Sequence, residues 1–99
     1  MESLSRISDE YESYANWLLK TKLELFVRRA SCEIPNERTV ILHWDIGPVD
    51  MQLDLRLNTK EGWLYTSDRT ARSDCLRVYN LESERDMERM INCLQEYIK

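Results

Sequence analysis

The sequence has few of the residues that build catalytic and nucleotide-binding motifs. Its 99 residues include one histidine, two glycines, two prolines and three cysteines. Two glycines are too few for a phosphate-cradling loop of the P-loop or Rossmann type, which needs several at fixed spacing. Any serine- or cysteine-based nucleophile would have to use His43 as its base, and no motif surrounds Cys32 or Cys75. We therefore expect a protein that is not an enzyme.

The chain also lacks an excess of basic residues. It has 18 Asp and Glu against 14 Lys and Arg, which gives a formal net charge of −4. Non-specific binding to nucleic acid needs a basic surface that displaces counterions from phosphates. The charge therefore argues against direct nucleic-acid binding and favours a partner that is itself basic.

Membrane and secretion signals are missing as well. No 18 apolar residues run together, and the first residues lack the basic and apolar segments of a signal peptide. Three widely spaced cysteines without a C-x-x-C pair are typical of a reducing compartment and do not suggest a zinc site. We expect a cytoplasmic protein that does not enter a membrane and has no cofactor.

The residues that are present predict a folded chain. The apolar fraction is 42%, with three Trp and five Tyr, whereas a disordered chain would be poorer in aromatics. A length of 99 residues predicts a single domain over 1–99. Residues 1–7, which precede the first helical pattern, are candidates for disorder.

A long helix is predicted over residues 8–31. Ser8 is a natural N-cap, and acidic residues follow it near the positive end of the helix dipole. Pro35 predicts the end of the helix and a turn. Helical spacing gathers one apolar stripe, formed by Ile7, Tyr11, Tyr14, Ala15, Leu18, Leu19, Leu25 and Phe26. Trp17 falls outside this stripe, and such an exposed aromatic is a candidate for contact with a partner.

Four strands are predicted after this helix. Residues 38–45 are rich in β-branched and aromatic side chains, and residues 49–57 alternate strictly between apolar and polar. Residues 62–67 and 75–81 give shorter strand patterns. The third predicted strand carries Trp63 and Tyr65, which either pack under a helix or belong to an interface.

A second helix is predicted over residues 84–98. Ser83 as N-cap and Asp86 three residues later resemble a capping box. One helix face then collects Met87, Met90, Ile91, Leu94 and Ile98. The predicted fold is therefore α+β: an N-terminal helix, a four-stranded antiparallel meander and a C-terminal amphipathic helix, packed as a two-layer sandwich.

The hairpin within residues 43–57, HWDIGPVDMQLDLRL, gives the most specific prediction. With Gly47 and Pro48 as a two-residue loop, Gly47 takes a positive φ, as a type II′ turn requires. This register sets Asp45 opposite Asp50 and collects polar side chains on one face of the hairpin. These are His43, Asp45, Asp50, Gln52 and Asp54.

Three interpretations of this polar hairpin face stay open. Two carboxylates directly opposite each other repel, and solvent at a hairpin tip would screen that repulsion if the face is simply wet surface. Alternatively, the face binds a basic protein whose Arg or Lys side chains relieve the repulsion. The third interpretation is a divalent-metal site in which Asp45, Asp50 and His43 are ligands.

We expect a non-enzymatic protein-binding domain that uses His43, Asp45, Asp50, Gln52, Asp54 and Trp17 as its contact residues. Inhibitors form one class of small acidic cytoplasmic proteins. They include toxin-immunity proteins and phage proteins that cover a basic nucleic-acid-binding surface of a host defence complex. This comparison rests on size and charge. The alternatives are a metal-dependent hydrolase at the Asp45, Asp50 and His43 cluster, and a structural adaptor that forms homodimers through its first helix.

Overall fold

The computed structural model describes residues 6–98 and has an α+β fold with helices on one side of an antiparallel sheet. It begins with helix α1 (Asp9–Trp17), a π-helical turn (Leu18–Lys22) and the short helix α2 (Glu24–Val27). The strands are β1 (Ser31–Asn36), β2 (Thr39–Ile46), β3 (Val49–Arg56), β4 (Glu61–Asp68) and β5 (Ser73–Asn80). Helix α3 (Glu84–Tyr97) follows. No helix within residues 6–98 is long and apolar enough to cross a membrane.

The sheet has five strands in the order β1-β2-β3-β4-β5, and each pairs antiparallel with its neighbour. The predicted meander is confirmed as β2 to β5, but the prediction of four strands was wrong because β1 was taken for a turn. Pro35 lies within β1, where the register shifts between Glu33 and Asn36. An edge strand with a bulge tolerates a proline, since its missing N–H leaves no partner strand unpaired.

The first helix is shorter than predicted and is interrupted. At the π-turn the N–H of Leu23 donates to the carbonyl oxygen of Leu18 at 2.9 Å, across one residue more than in an α-helix. The extra residue rotates the chain that follows. Leu23 is therefore fully buried and Leu25 is 69% exposed, so the expected place of Leu25 in the apolar stripe was wrong.

The core lies between the helices and one face of the sheet. Trp44 of β2 is almost fully buried, and its indole N–H donates to the carbonyl oxygen of Phe26 at 2.9 Å. A Cβ built on Gly62 of β4 would lie 3.1 Å from the Sδ of Met90, which shows how closely α3 approaches the sheet. Buried side chains from all three strands at the centre of the sheet join this core: Val40, Leu42, Trp44, Met51, Leu53, Leu55 and Leu64.

The structure confirms the predicted C-terminal helix, since α3 begins at Glu84 and ends at Tyr97, against predicted limits of 84 and 98. The N–H of Asp86 donates to Oγ of Ser83 at 3.2 Å, as the N-cap requires. The carboxylate of Asp86 completes no capping box, because it accepts instead from the N–H of Asn80 at 2.8 Å. The buried side chains of this helix and the residue after it include Met87, Met90, Leu94 and Ile98.

The start of the chain is described only in part. The proposed disorder of residues 1–7 falls mostly on residues 1–5, which lie outside the described residues. Ile7 is described and belongs to the buried core. Ser8 occupies the N-cap position of α1, but its side chain caps no N–H of the described helix. Its own N–H donates to the carbonyl oxygen of Glu37 at 2.8 Å, which fixes the start of α1 to the β1–β2 turn.

Candidate functional site

One face of the sheet points away from the helices, and we call it the open face. Alternate residues of each strand contribute to it, because successive side chains of a strand point to opposite sides. From β1 to β5 these are Ser31, Glu33, Thr39, Ile41, His43, Asp45, Asp50, Gln52, Asp54, Arg56, Glu61, Trp63, Tyr65, Ser67, Asp74, Leu76, Val78 and Asn80. Each of them is partly or fully exposed, so no element within residues 6–98 buries this face.

The register of the β2–β3 hairpin is the predicted one. Asp45 pairs with Asp50 and His43 pairs with Gln52, and Gly47 has a φ of 60°. The structure therefore brings five of the predicted contact residues together on the open face: His43, Asp45, Asp50, Gln52 and Asp54.

The sixth predicted contact residue, Trp17, lies elsewhere. It is 44% exposed and lines a groove of about 710 Å³ on the helix side of the sheet, together with Tyr14, Lys60 and Met87. Its ring stacks on that of Tyr14 with centroids 5.9 Å apart, and Nζ of Lys22 lies 5.6 Å from its centroid. Trp17 therefore belongs to a different surface from the hairpin residues.

The β4–β5 side of the open face is apolar. Trp63 pairs with Val78, and Tyr65 pairs with Leu76, so four large side chains form a patch across β4 and β5 that we call the apolar strip. Leu76 and Val78 are each 48% exposed. The guanidinium of Arg56 lies 3.9 Å from the centroid of the Trp63 ring, a cation–π contact that covers part of that ring.

Sequence reasoning singled out Trp63 and Tyr65 but not the β5 half of the apolar strip. Leu76 and Val78 alternate with Cys75, Arg77 and Tyr79, so both faces of β5 carry large side chains. A period-2 pattern shows which face of a strand meets solvent only where one of its two alternating sets of side chains is clearly polar. The exposure of β5 could therefore not be read from its residues.

The acidic end of the open face is held together by Arg69, from the loop between β4 and β5. Its Nη2 lies 3.5 Å from Oδ1 of Asp45, and its Nη1 lies 3.7 Å from Oδ2 of Asp50. Nη2 also donates to the carbonyl oxygen of Gly47, and the backbone N–H of Arg69 donates to the carbonyl oxygen of Pro48 at 2.9 Å. We call this set of contacts the Arg69 bridge. It relieves the repulsion between the two facing carboxylates within the chain itself.

The Arg69 bridge bears on the metal hypothesis. A guanidinium occupies the position between Asp45 and Asp50 that a divalent cation would need. Within residues 6–98, no group of three His, Cys, Asp or Glu side chains is arranged to hold a metal ion. The arrangement therefore offers no support for a hydrolase that uses Asp45, Asp50 and His43.

Two other carboxylates of the open face accept hydrogen bonds from neutral side chains. The side-chain amide of Gln52 donates to Oδ1 of Asp54 at 2.9 Å, and Oγ of Ser67 donates to Oδ1 of Asp74 at 2.7 Å. These hydrogen bonds orient the carboxylates without neutralising them. A shallow depression of about 510 Å³ lies along this region, lined by His43, Asp50, Gln52, Tyr65, Asp74 and Leu76 among others.

Comparisons with known proteins give no further indication of function. No family model matches the chain, and neither curated proteins nor solved structures give a significant match.

Proposed function

We propose that this chain is a non-enzymatic binding protein that contacts a basic partner protein through the open face. The observation that carries the proposal is the exposed apolar strip with carboxylates on several sides. Nucleophilic catalysis would need a base beside the nucleophile, and His43 is the one histidine of the sequence. Its cross-strand neighbour on the open face is Gln52, which is not a nucleophile.

The apolar strip supports protein contact because neighbouring apolar side chains left at a protein surface often belong to interaction sites. Trp63 and Tyr65 are of the residue types that most often anchor interfaces. Leu76 and Val78, half exposed beside them, extend the patch to the edge of the sheet. Burying the strip against a partner would remove apolar surface from water, which is the main favourable term in most protein associations.

The charge of the open face favours a basic partner. Its strands carry the carboxylates of Glu33, Asp45, Asp50, Asp54, Glu61 and Asp74. Among the described strand residues of this face, Arg56 is the single Arg or Lys, and Arg69 from the loop lies beside Asp45 and Asp50. Such a field speeds encounter with a positively charged surface and discourages acidic partners. An inhibitor that covers a basic nucleic-acid-binding surface would have this combination of charge and apolar contact.

The test is affinity capture from a lysate of the native source, read by mass spectrometry, with matched aromatic variants. We expect wild type and Trp17→Ala to retain the same basic protein, and Tyr65→Ala to lose it. Trp17 is the control because it is an exposed aromatic on the helix side. Circular dichroism establishes that each variant is folded.

Loss of the retained protein by Trp17→Ala but not by Tyr65→Ala would move the binding surface to the helix side. Equal retention by all three proteins would contradict the proposal. The predicted role of Trp17 in binding is decided by the same comparison.

A further inference from the structure

The two edges of the sheet differ in how they are closed to other strands. β1 contains Pro35 and has a register shift in its pairing with β2. Prolines and bulges are devices that keep an edge strand from pairing with another chain. β5 has neither, since its eight residues pair with β4 in unbroken register from Ser73 to Asn80. A further strand would therefore be added at β5.

The outward backbone groups of β5 follow from two hydrogen bonds at its end. The N–H of Asn80 donates to the carboxylate of Asp86 on α3, whereas the next N–H along the chain donates to the turn that precedes β4. Backbone groups of an antiparallel strand point alternately toward and away from the neighbouring strand. The N–H and C=O groups of Asp74, Leu76 and Val78 therefore point outward. Within residues 6–98, no backbone hydrogen bond from another element reaches them.

Helix α3 shapes the helix side of this edge. Three polar residues at helical spacing line a cavity of about 430 Å³ beside β5: Arg89, Asn92 and Glu96. Arg77 and Tyr79 of β5 line the same cavity. Because successive side chains of a strand point to opposite sides, a strand added at β5 would direct every second side chain toward this cavity. Its other side chains would continue the open face beside the apolar strip.

Arg77 is the charged residue of β5 that faces this cavity. Its Nη1 donates to Sγ of Cys93 at 3.4 Å, and its guanidinium also contacts the side chains of Tyr79 and Cys75. None of these partners is a carboxylate, and no residue of the described chain forms an ion pair with Arg77. An Asp or Glu on the added strand, opposite Arg77, would supply the charged acceptor that a guanidinium binds most strongly.

The α3 side of the cavity carries both signs of charge. Asp86 already accepts from the N–H of Asn80 and lies 3.9 Å from Nη1 of Arg89. Glu96 lies one turn of α3 beyond Cys93, the residue that contacts Arg77. Since neither sign dominates, the cavity would select an added strand by the position of its charged residues and not by its net charge.

We propose that β5 binds an extended segment of a different protein as a sixth, antiparallel strand, with the residue order apolar, acidic, apolar, any residue, basic. In antiparallel pairing the five residues of this segment meet, in that order, Val78, Arg77, Leu76, Cys75 and Asp74. The two apolar side chains extend the apolar strip. The acidic side chain meets Arg77 on the helix side, and the basic side chain meets Asp74 on the open face.

The β5 strand of a second copy does not have this residue order. The side chains of β5 on the helix side are Ser73, Cys75, Arg77 and Tyr79. None of them is acidic, so pairing two β5 strands through their outward residues sets no carboxylate opposite Arg77 in any register. The charge of Arg77 is therefore the reason to assign this edge to a different protein. The inference does not rest on the proposed function, because the acidic side chain binds on the helix side of the sheet.

The test is selection from a random linear peptide library displayed on phage, with the wild-type chain immobilised. The enriched peptides should share the proposed residue order, and a synthetic peptide of their consensus is then titrated by calorimetry. Arg77→Gln should weaken its binding about tenfold, because a hydrogen-bonded charge pair is lost. Arg85→Gln makes the same change of charge at an exposed position of α3 outside the cavity and should leave the affinity unchanged. Circular dichroism establishes that both variants are folded.

Two changes to the peptide check the pairing itself. Replacing its acidic residue by Lys should weaken binding to wild type and restore binding to Arg77→Glu. N-methylation of the peptide residue opposite Leu76 should weaken binding about tenfold or more, because that N–H faces β5. N-methylation of the acidic residue should be tolerated, because its N–H faces away. No enriched peptide, enriched peptides without an acidic residue, equal affinity for wild type and Arg77→Gln, or equal effects of the two N-methyl groups would each overturn the proposal.

Discussion

The Arg69 bridge gives the sharpest prediction for folding stability. We consider Arg69→Met, which keeps most of the aliphatic length of the side chain and removes its charge. The variant loses the contacts to Asp45 and Asp50 at 3.5 and 3.7 Å and the hydrogen bond to Gly47. It also leaves the two facing carboxylates without a cation. We expect a lower free energy of unfolding.

The magnitude follows from the exposure of these groups. More than half of the Arg69 and Asp45 side chains is exposed, so solvent screens both ion pairs, and each contributes about 0.5 kcal/mol. The hydrogen bond from a charged donor to a carbonyl adds about 1 kcal/mol. The total is about 1–2 kcal/mol, which for a domain of this length lowers Tm by roughly 5–10 °C.

The assay is urea denaturation in a double-mutant cycle with Asp45→Asn/Asp50→Asn. In that background Arg69→Met should cost only about 1 kcal/mol, because the carbonyl hydrogen bond remains and the carboxylates are gone. The difference between the two costs should shrink in 1 M NaCl, where the screening length is about 3 Å. Arg72→Met, in the same loop but outside the Arg69 bridge, is the control. An equal cost of Arg69→Met in both backgrounds at low salt would refute the reasoning.

Two further predictions concern the core. Tyr14→Phe should raise the free energy of unfolding by up to about 1 kcal/mol, because the Tyr14 hydroxyl is buried with no hydrogen-bond partner among the described residues. Burial, and then the charge of Glu82, raise the pKa of Tyr14 above 10.0, so the folded state keeps this proton more tightly than the unfolded state. The contribution of this proton to stability is present below pH 10 and is lost as the pH rises through the raised pKa. The stability advantage of Tyr14→Phe over wild type in thermal denaturation should therefore grow in alkali. An advantage that does not change with pH would contradict a buried, unpartnered Tyr14 hydroxyl. Gly62→Ala should destabilise the fold by about 1–3 kcal/mol in urea, because its Cβ would lie 3.1 Å from Sδ of Met90 and 3.2 Å from Cδ2 of Leu81. No loss of stability would mean that α3 can move away.

Local patterns predicted the parts of the fold whose residues specify their own geometry. Gly47 followed by Pro48 fixed the turn, and the strict alternation of residues 49–57 then fixed the register of the β2–β3 hairpin. The polar hairpin face followed without any knowledge of distant contacts. Helix α3 was equally accessible, because Ser83 marks its start and its apolar residues keep one helical period.

The failures lie where a distant contact overrides the local signal. Pro35 is typical of a turn, and only its position at the edge of the sheet makes it compatible with β1. The π-turn that exposes Leu25 and buries Leu23 changes the helical period within residues that give no sign of it. The Arg69 bridge joins a loop to a hairpin 22 residues earlier. No spacing rule relates two segments so far apart.

The Arg69 bridge also changes what the hairpin carboxylates can contribute to binding. A partner that approaches Asp45 and Asp50 meets charges that already have a cation beside them, so it would have to compete with Arg69. Asp54 and Asp74 accept hydrogen bonds from the neutral side chains of Gln52 and Ser67 and have no cation among these partners. Since a neutral hydrogen bond orients a carboxylate without cancelling its field, these two residues should carry more of the attraction to a basic surface. Asp54 is the cross-strand neighbour of Trp63, and Asp74 lies two residues before Leu76 on the same face of β5. Both carboxylates are therefore next to the apolar strip, so charge and apolar contact would act on the same part of the partner.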